Sequence, residues 1–328
     1  KELGVKKYNN ECRGIVQRFT SQWQKTITRI GRWVDFENDY KTMDTSFMES
    51  VWWAFKELWD KGLVYQGTRV VPFSTSLGTV LSNFEAGQNY QDVQDPAITV
   101  LFNLPDKNCY IAAWTTTPWT LPSNLGLCVG AEIDYVKLKD SQLDKPIIIA
   151  KARLENFAKK REYEVIEEFK GSSLKGLSYE PLFDYFSDLK AEGGFKIYND
   201  NYVTTDNGTG IVHLAPSFGE DDNRVMSEAG VRLELCPINE KGEFTTSVTD
   251  FAGQYVKDAD KNITKQLKDR SLLYEQSVIV HSYPMCPRSD TPLIYRSIPS
   301  WYVSVEKIKE NLIASNKEKF YEWKFEFK

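Results

Sequence analysis

Apolar positions along this chain change their period twice. Between about residues 11 and 30, Ile15, Val16, Phe19, Trp23, Ile27 and Ile30 recur mostly in steps of three and four. That spacing predicts one amphipathic helix, ended by Gly31. A second helix is predicted from near residue 44 through Phe47, Val51, Phe55 and Leu58, stopped by Gly62, with Ser46 and Glu49 at capping-box spacing. Its Trp52, Trp53 and Trp59 are expected to pack into a core, the alternative being an interface. From Leu63 the period shortens. Strands are predicted over residues 63–73, 97–104, 110–114, 125–129, 135–138, 147–150 and 163–169, with a short basic helix over 151–161. An extended run, 195–203, leads toward Gly208-Thr209-Gly210. Helices follow from Glu220 and over 258–270, then short strands from Val278 to Tyr295 and a helix from about 304 to 317.

The middle is thus strand-dominated and the ends are helical. The expected fold is α+β: a β-rich domain with a barrel-like core of short strands and flanking helices. The expected division is a helical neck over 1–75, a central domain over 76–272 and a return segment over 273–328. No internal repeat or low-complexity tract appears.

Composition narrows the options. With 41% hydrophobic, 27% charged and 13% aromatic residues, the chain reads as soluble and folded. No apolar run reaches 18 residues, so no membrane span is expected. The segment Lys1-Glu2-Leu3-Gly4 has neither an initiating Met nor an apolar signal core and reads as a cut edge. A net charge of −5 lacks the broad positive field of strong non-specific nucleic-acid binders, so any RNA is expected to sit weakly in a local groove. The cysteines, Cys12, Cys109, Cys128, Cys236 and Cys286, form no Cys-x-x-Cys pair, which points to a reducing compartment. Two histidines, His213 and His281, are too few for a His-based zinc site.

Two stretches carry candidate chemistry. Trp114-Thr115-Thr116-Thr117-Pro118-Trp119-Thr120-Leu121-Pro122-Ser123-Asn124 sets hydroxyls at a strand end between two indoles. Such a mixture of apolar wall and polar floor suits a small pocket, although threonines also simply favour strands. Gly208 to Asp222 follows another apolar run. Its glycines lack the lysine of a P-loop and the third glycine of a dinucleotide fingerprint, and are expected to allow a tight turn. His213 reads as a structural residue or a pocket group, and Asp221 as a helix cap. Residue chemistry alone supports only a hydrolytic or amine-binding pocket.

Both stretches resemble the signatures of the editing (CP1) domain of isoleucyl-tRNA synthetase, a class I aminoacyl-tRNA synthetase. Further likeness runs through Gly31-Arg32-Trp33-Val34-Asp35, Tyr40-Lys41-Thr42-Met43-Asp44, Leu81-Ser82-Asn83-Phe84-Glu85-Ala86 and Asp290-Thr291-Pro292-Leu293-Ile294-Tyr295-Arg296, in the style of the eukaryotic cytosolic branch. Valyl and leucyl editing domains carry Arg where Thr117 stands. The His-Ile-Gly-His and Lys-Met-Ser-Lys-Ser motifs of amino-acid activation do not occur.

The resemblance implies hydrolysis of valyl-tRNA(Ile), and of valyl-adenylate as a second substrate. It implies that Asp222 holds the α-ammonium and that Thr115, Thr116 and Thr117 bind the terminal adenosine and orient the ester or water. It further implies that Trp114, Trp119 and Asn124 line the site, and that His213 shapes the side-chain pocket without serving as general base. No cofactor or metal is expected here: Ser74 and Ser76 stand where bacterial relatives place cysteines, and ATP and Mg would serve the full-length enzyme. Expected partners are the acceptor end of tRNA(Ile) carrying valine and the remainder of a synthetase chain. A cytoplasmic monomer without membrane contact is expected. The rival reading is a non-catalytic tRNA- or partner-binding module.

Overall fold

The structure, a computed structural model, describes residues 3–158, 162–232 and 235–326. It divides into two compact units, residues 1–65 with 302–328, and residues 66–301. The boundaries expected after residues 75 and 272 fall inside the larger unit.

The smaller unit is built from the helices Gly4–Gln17, Thr20–Arg29, Thr45–Asp60 and Lys309–Glu326. The first predicted helix is in fact two, interrupted at Arg18 and Phe19. The helix Thr45–Asp60 starts behind Asp44 with no side-chain cap, so the Ser46/Glu49 capping box does not form. A capping box does form between Ser82 and Glu85 of the larger unit. Trp52, Trp53 and Trp59 are exposed rather than packed into a core, because the helix buries no residue. No described helix is long and apolar enough to cross a membrane.

The strands, in chain order, are β1 (Val64–Ser74), β2 (Thr79–Val80), β3 (Tyr90–Leu104), β4 (Cys109–Thr115), β5 (Gly126–Val129) and β6 (Asp134–Asp140). They continue as β7 (Ile147–Ala150), β8 (Tyr163–Lys170), β9 (Lys196–Asn199), β10 (Ile211–Leu214), β11 (Leu273–Pro284) and β12 (Leu293–Val303). Every central strand expected from the pattern is present. The basic helix expected over 151–161 is a 3₁₀ turn followed by Leu154–Ala158, and its last three residues lie outside the described residues.

These strands make three sheets: β12-β1-β2, β10-β5-β9, and a six-stranded β11-β3-β4-β7-β6-β8. The α+β class is as expected. Among the described residues the six-stranded sheet is open, with β11 and β8 at its edges, so the barrel-like core does not close into a barrel. The reason lies in the pattern: both faces of the large sheet are apolar. One face meets the main core through Ile98, Val100, Phe102, Ile111 and Ala113, and the other meets a smaller cluster through Leu101, Ala112, Val136 and Ile149. A sheet covered on both sides needs no closure to bury its apolar area.

The turn expected at Gly208-Thr209-Gly210 is present. Gly208 and Gly210 adopt φ of +64° and +73°, a region that favours glycine. A Cβ on Gly210 would stand 2.4 Å from that of Ala150, so the close approach also requires glycine. Arg153 holds this loop by donating to the carbonyls of Thr205, Asp206 and Gly208.

Candidate functional site

Strand β4 sets the site by its alternation. Cys109, Ile111 and Ala113 face the main core and Ala112 faces the smaller one, as period two requires. Thr115 ends the first row, paired in register with Ile98, and is buried. Trp114 belongs to the other row and pairs with Thr99. It lines a separate cavity of about 240 Å³ with Thr99, Arg153, Asn156, Phe157 and Gly208. Trp114 thus points to the face of the strand opposite Thr115.

After Thr115 the chain enters a 3₁₀ turn, Pro118–Ser123, with Pro118 at the first position, where its missing N–H costs nothing. The Thr117 N–H donates to Thr115 Oγ1 at 3.1 Å, and the two hydroxyls lie 3.2 Å apart. A 3₁₀ turn eclipses residues three apart, which brings Thr120 under Thr117. Thr120 Oγ1 donates to the Thr117 carbonyl at 2.8 Å. Thr116 is half-buried beside them.

The second stretch meets this turn at one point. His213, on β10 opposite Leu127, places Nε2 3.0 Å from Thr120 Oγ1. The single Thr120 hydroxyl proton already goes to Thr117, so His213 is assigned as the donor through Nε2–H. Its Nδ1 is then a bare acceptor, buried and without a partner among the described residues. Burial lowers the His213 pKa to about 4, so the ring is neutral near pH 7 and a weak base.

Asp222 is the third residue of the helix Glu220–Glu228, whose N-cap is Gly219. The helix begins with three acids, which suits its positive end. The cap expected at Asp221 is not formed; that side chain is exposed and pairs with Arg224. The carboxylate of Asp222 turns back, and Oδ2 accepts the Ala215 N–H at 2.9 Å, two residues past His213. Burial raises its pKa to about 6; the Ala215 bond opposes this and the neighbouring Asp221 charge adds to it.

Trp119 packs edge-on against Phe218 of the second stretch, ring centroids 4.7 Å apart. Its indole N–H is buried without a partner among the described residues. Asn124 has both amide ends engaged within the protein: it donates to the Gly126 carbonyl at 2.8 Å and accepts from the Tyr179 hydroxyl at 2.6 Å. It braces the turn rather than offering a free rim group.

Two further residues shape the site without having been assigned from sequence. Thr120 links Thr117 to His213, and its three-residue spacing in a proline-opened turn was the available signal. Asp260 accepts the Trp119 backbone N–H through Oδ1 at 2.7 Å, from the helix Val256–Asp269. No motif marks it. Burial raises its pKa to about 7, against the Trp119 bond and Lys257, with Asp95 adding to the rise.

The arrangement offers a row of hydroxyls, a neutral imidazole and a half-buried carboxylate. It can orient a small polar group and hold an ammonium, but it contains no strong base. Among the described residues, no three His, Cys, Asp or Glu side chains gather into a metal site.

The chain has known relatives in sequence. The chain belongs to the class I tRNA synthetases of the I, L, M and V group, whose profile it matches over residues 1–328. The particular relatives are isoleucine–tRNA ligases. The chain is 54% identical to the mouse cytoplasmic isoleucine–tRNA ligase over 96% of its own length and 25% of that protein. It is 53% identical to the yeast cytoplasmic enzyme, covering 96% of this chain and 30% of that one. The Bdellovibrio bacteriovorus isoleucine–tRNA ligase reaches 53% over 97% of this chain and 30% of its own. The expected cytosolic likeness is found, and a bacterial relative matches it in identity. The chain spans about a quarter to a third of the length of the relatives it matches. Among solved structures, the editing domain of the P. falciparum cytosolic leucyl-tRNA synthetase covers 55% of this chain and 98% of its own. It matches at 10% identity and a TM-score of 0.41, too coarse a likeness to add to the assignment.

Proposed function

We propose that this chain is the editing module of an isoleucyl-tRNA synthetase and hydrolyses the ester of valyl-tRNA(Ile), with valyl-adenylate as a second substrate. The carrying observation is the hydrogen-bonded row Thr115, Thr117, Thr120 and His213, joined to the stretch that carries Asp222. A binding site separates valine from isoleucine by one methylene only, worth ~1–3 kcal/mol, and isoleucine against valine is the standard case of that limit. A second site must therefore destroy valyl esters and exclude the larger side chain.

In this reading Asp222 receives the α-ammonium of the valyl group in a charge-assisted bond. Ligand binding then pulls its pKa back down, because a nearby cation favours the carboxylate. Thr115, Thr116 and Thr117 hold the terminal adenosine and the attacking water. Water adds to the ester carbonyl carbon, the bond to the ribose oxygen breaks, and that oxygen leaves with a proton. His213 and Trp119 bound the side-chain pocket. A neutral imidazole of low basicity fits a shaping role and not proton abstraction. Rate acceleration comes from positioning and fixed dipoles.

The test is to mix the chain with separately prepared valyl-tRNA(Ile) and isoleucyl-tRNA(Ile) and follow ester loss. Rapid loss of valine with isoleucine spared is expected. Equal rates for both esters would remove the sieve. Loss of neither would leave the non-catalytic binding module as the better reading.

A further inference from the structure

The 3₁₀ turn Pro118–Ser123 makes no side-chain cap of its own. A helical turn leaves its first N–H groups without internal partners, and here the Trp119 N–H is satisfied by Asp260, 141 residues away, at 2.7 Å. Asp260 is buried. Among the described residues no Lys or Arg lies within 4.0 Å of it. Lys257, one turn earlier on the same helix, is committed to Asp95 at 3.2 Å. A buried carboxylate without a direct counter-ion is an expensive way to satisfy one amide. A neutral acceptor would serve for stability alone. What the charge adds is a shorter, stiffer bond.

That bond acts on the turn, and the turn acts on the site. The Trp119 ring rests on Phe218, the Thr117 carbonyl holds Thr120, and Thr120 holds His213. We propose that Asp260 is a positioning residue of the editing site, fixing through the Trp119 amide the geometry of Thr117, Thr120 and His213 that receives the ester. This rests on the editing reading above. The charged and titratable groups facing Asp260 are Lys257 on its own helix, Asp95 on β3 and Tyr283 on β11, with His281 of β11 bonded in turn to Asp95. Each of these must be kept unchanged in the test.

The experiment compares the wild-type chain with Asp260→Asn and Asp260→Ala. The amide proton of Trp119 is followed by ¹⁵N NMR from pH 5 to 9, and kcat and KM for valyl-tRNA hydrolysis are measured across the same range. In the wild type the Trp119 amide shift is expected to titrate near neutrality; in Asp260→Asn it is expected to be flat. Asp260→Ala is expected to lower kcat roughly 10–100-fold, the scale of a small misplacement of reacting groups, with KM within about threefold. Asp260→Asn, which still presents an acceptor, is expected to recover most of that loss. Its rate relative to wild type should change as pH crosses neutrality. A Trp119 titration that persists in Asp260→Asn overturns the proposal, as does an unchanged kcat in Asp260→Ala. If the alanine variant does not fold, the isosteric asparagine variant decides alone through the amide titration and the pH profile. A wild-type chain that hydrolyses no valyl-tRNA sinks the editing reading, and the amide titration still decides whether Asp260 fixes the turn.

Discussion

Gly219 and Asp222 share one small space. The carboxylate of Asp222 folds back so closely that a methyl group on Gly219 would stand 2.4 Å from Oδ2 and 2.5 Å from its carbon. Gly219 has an ordinary negative φ of −107°, so the demand for glycine here is one of room and not of backbone conformation. Gly219→Ala is expected to push Asp222 off the Ala215 amide. Hydrolysis of valyl-tRNA should fall roughly 10–100-fold, while the helix loses only the ~1 kcal/mol of a poorer cap. Activity and thermal unfolding measured together check this. Full activity in a well-folded variant would mean that the carboxylate position does not matter.

Asp222 itself separates charge from contact. Asp222→Asn keeps an acceptor for the Ala215 N–H but loses the anion that an ammonium needs. Asp222→Ala loses both. Both variants are expected to lose roughly 10²-fold in kcat/KM, the worth of a hydrogen bond to a charged group. Only the alanine variant should also lose stability. Because the free carboxyl titrates at about 6, wild-type KM should rise as pH falls through 6, and the asparagine variant should lack that rise. Steady-state kinetics between pH 5 and 8 tests it.

His213 should report both size selection and acid stability. His213→Ala is expected to begin hydrolysing isoleucyl-tRNA; a variant that still spares it would refute the shaping role. The folded pKa of about 4 lies below the ordinary histidine value of 6.5. Its stabilising contribution is therefore complete above pH 6.5 and is lost as pH falls toward 4, where the unfolded chain binds the extra proton. The size is roughly 3 kcal/mol. Relative to a His213→Gln variant, the wild type should lose ground across that window in denaturant titrations.

Asp260 behaves with the opposite sign. Its folded pKa of about 7 lies above the ordinary aspartate value of 3.8. The folded state binds the extra proton between those values, so this group favours folding below pH 3.8 and progressively ceases to as pH rises through 7. Asp260→Asn is expected to stabilise the protein at pH 8 by roughly 2–4 kcal/mol and to leave it nearly unchanged at pH 4. Denaturant midpoints at the two pH values measure this. A variant less stable than wild type at pH 8 would contradict the burial argument.

Several of these relationships could be read before the fold was seen, and others could not. The apolar run over 110–114 predicted a strand, which the fold supplies as the alternating β4, and the density of hydroxyls after it marked a site. The side that Trp114 takes follows from that same alternation, but only once Thr115 is known to face the main core. The proline at 118 signalled a bend; that Thr120 would fall beneath Thr117 depends on the bend being 3₁₀. Asp260 was illegible because it lies in an ordinary amphipathic helix, and its role comes from packing against a turn far away in the chain. The interruption at Arg18 and Phe19 was missed because apolar spacing continues across it.

The bond between residues 119 and 260 also says something about how the protein folds. It closes a loop of 141 residues, and such closure must be compensated by contacts that form only when distant segments have met. Neither the threonine turn nor the helix Val256–Asp269 can hold the site's geometry alone. Competence therefore requires both segments to be docked, and it is lost in any partial opening that detaches that helix. Exchange of the Trp119 amide with solvent then reports the opening and closing of a working site.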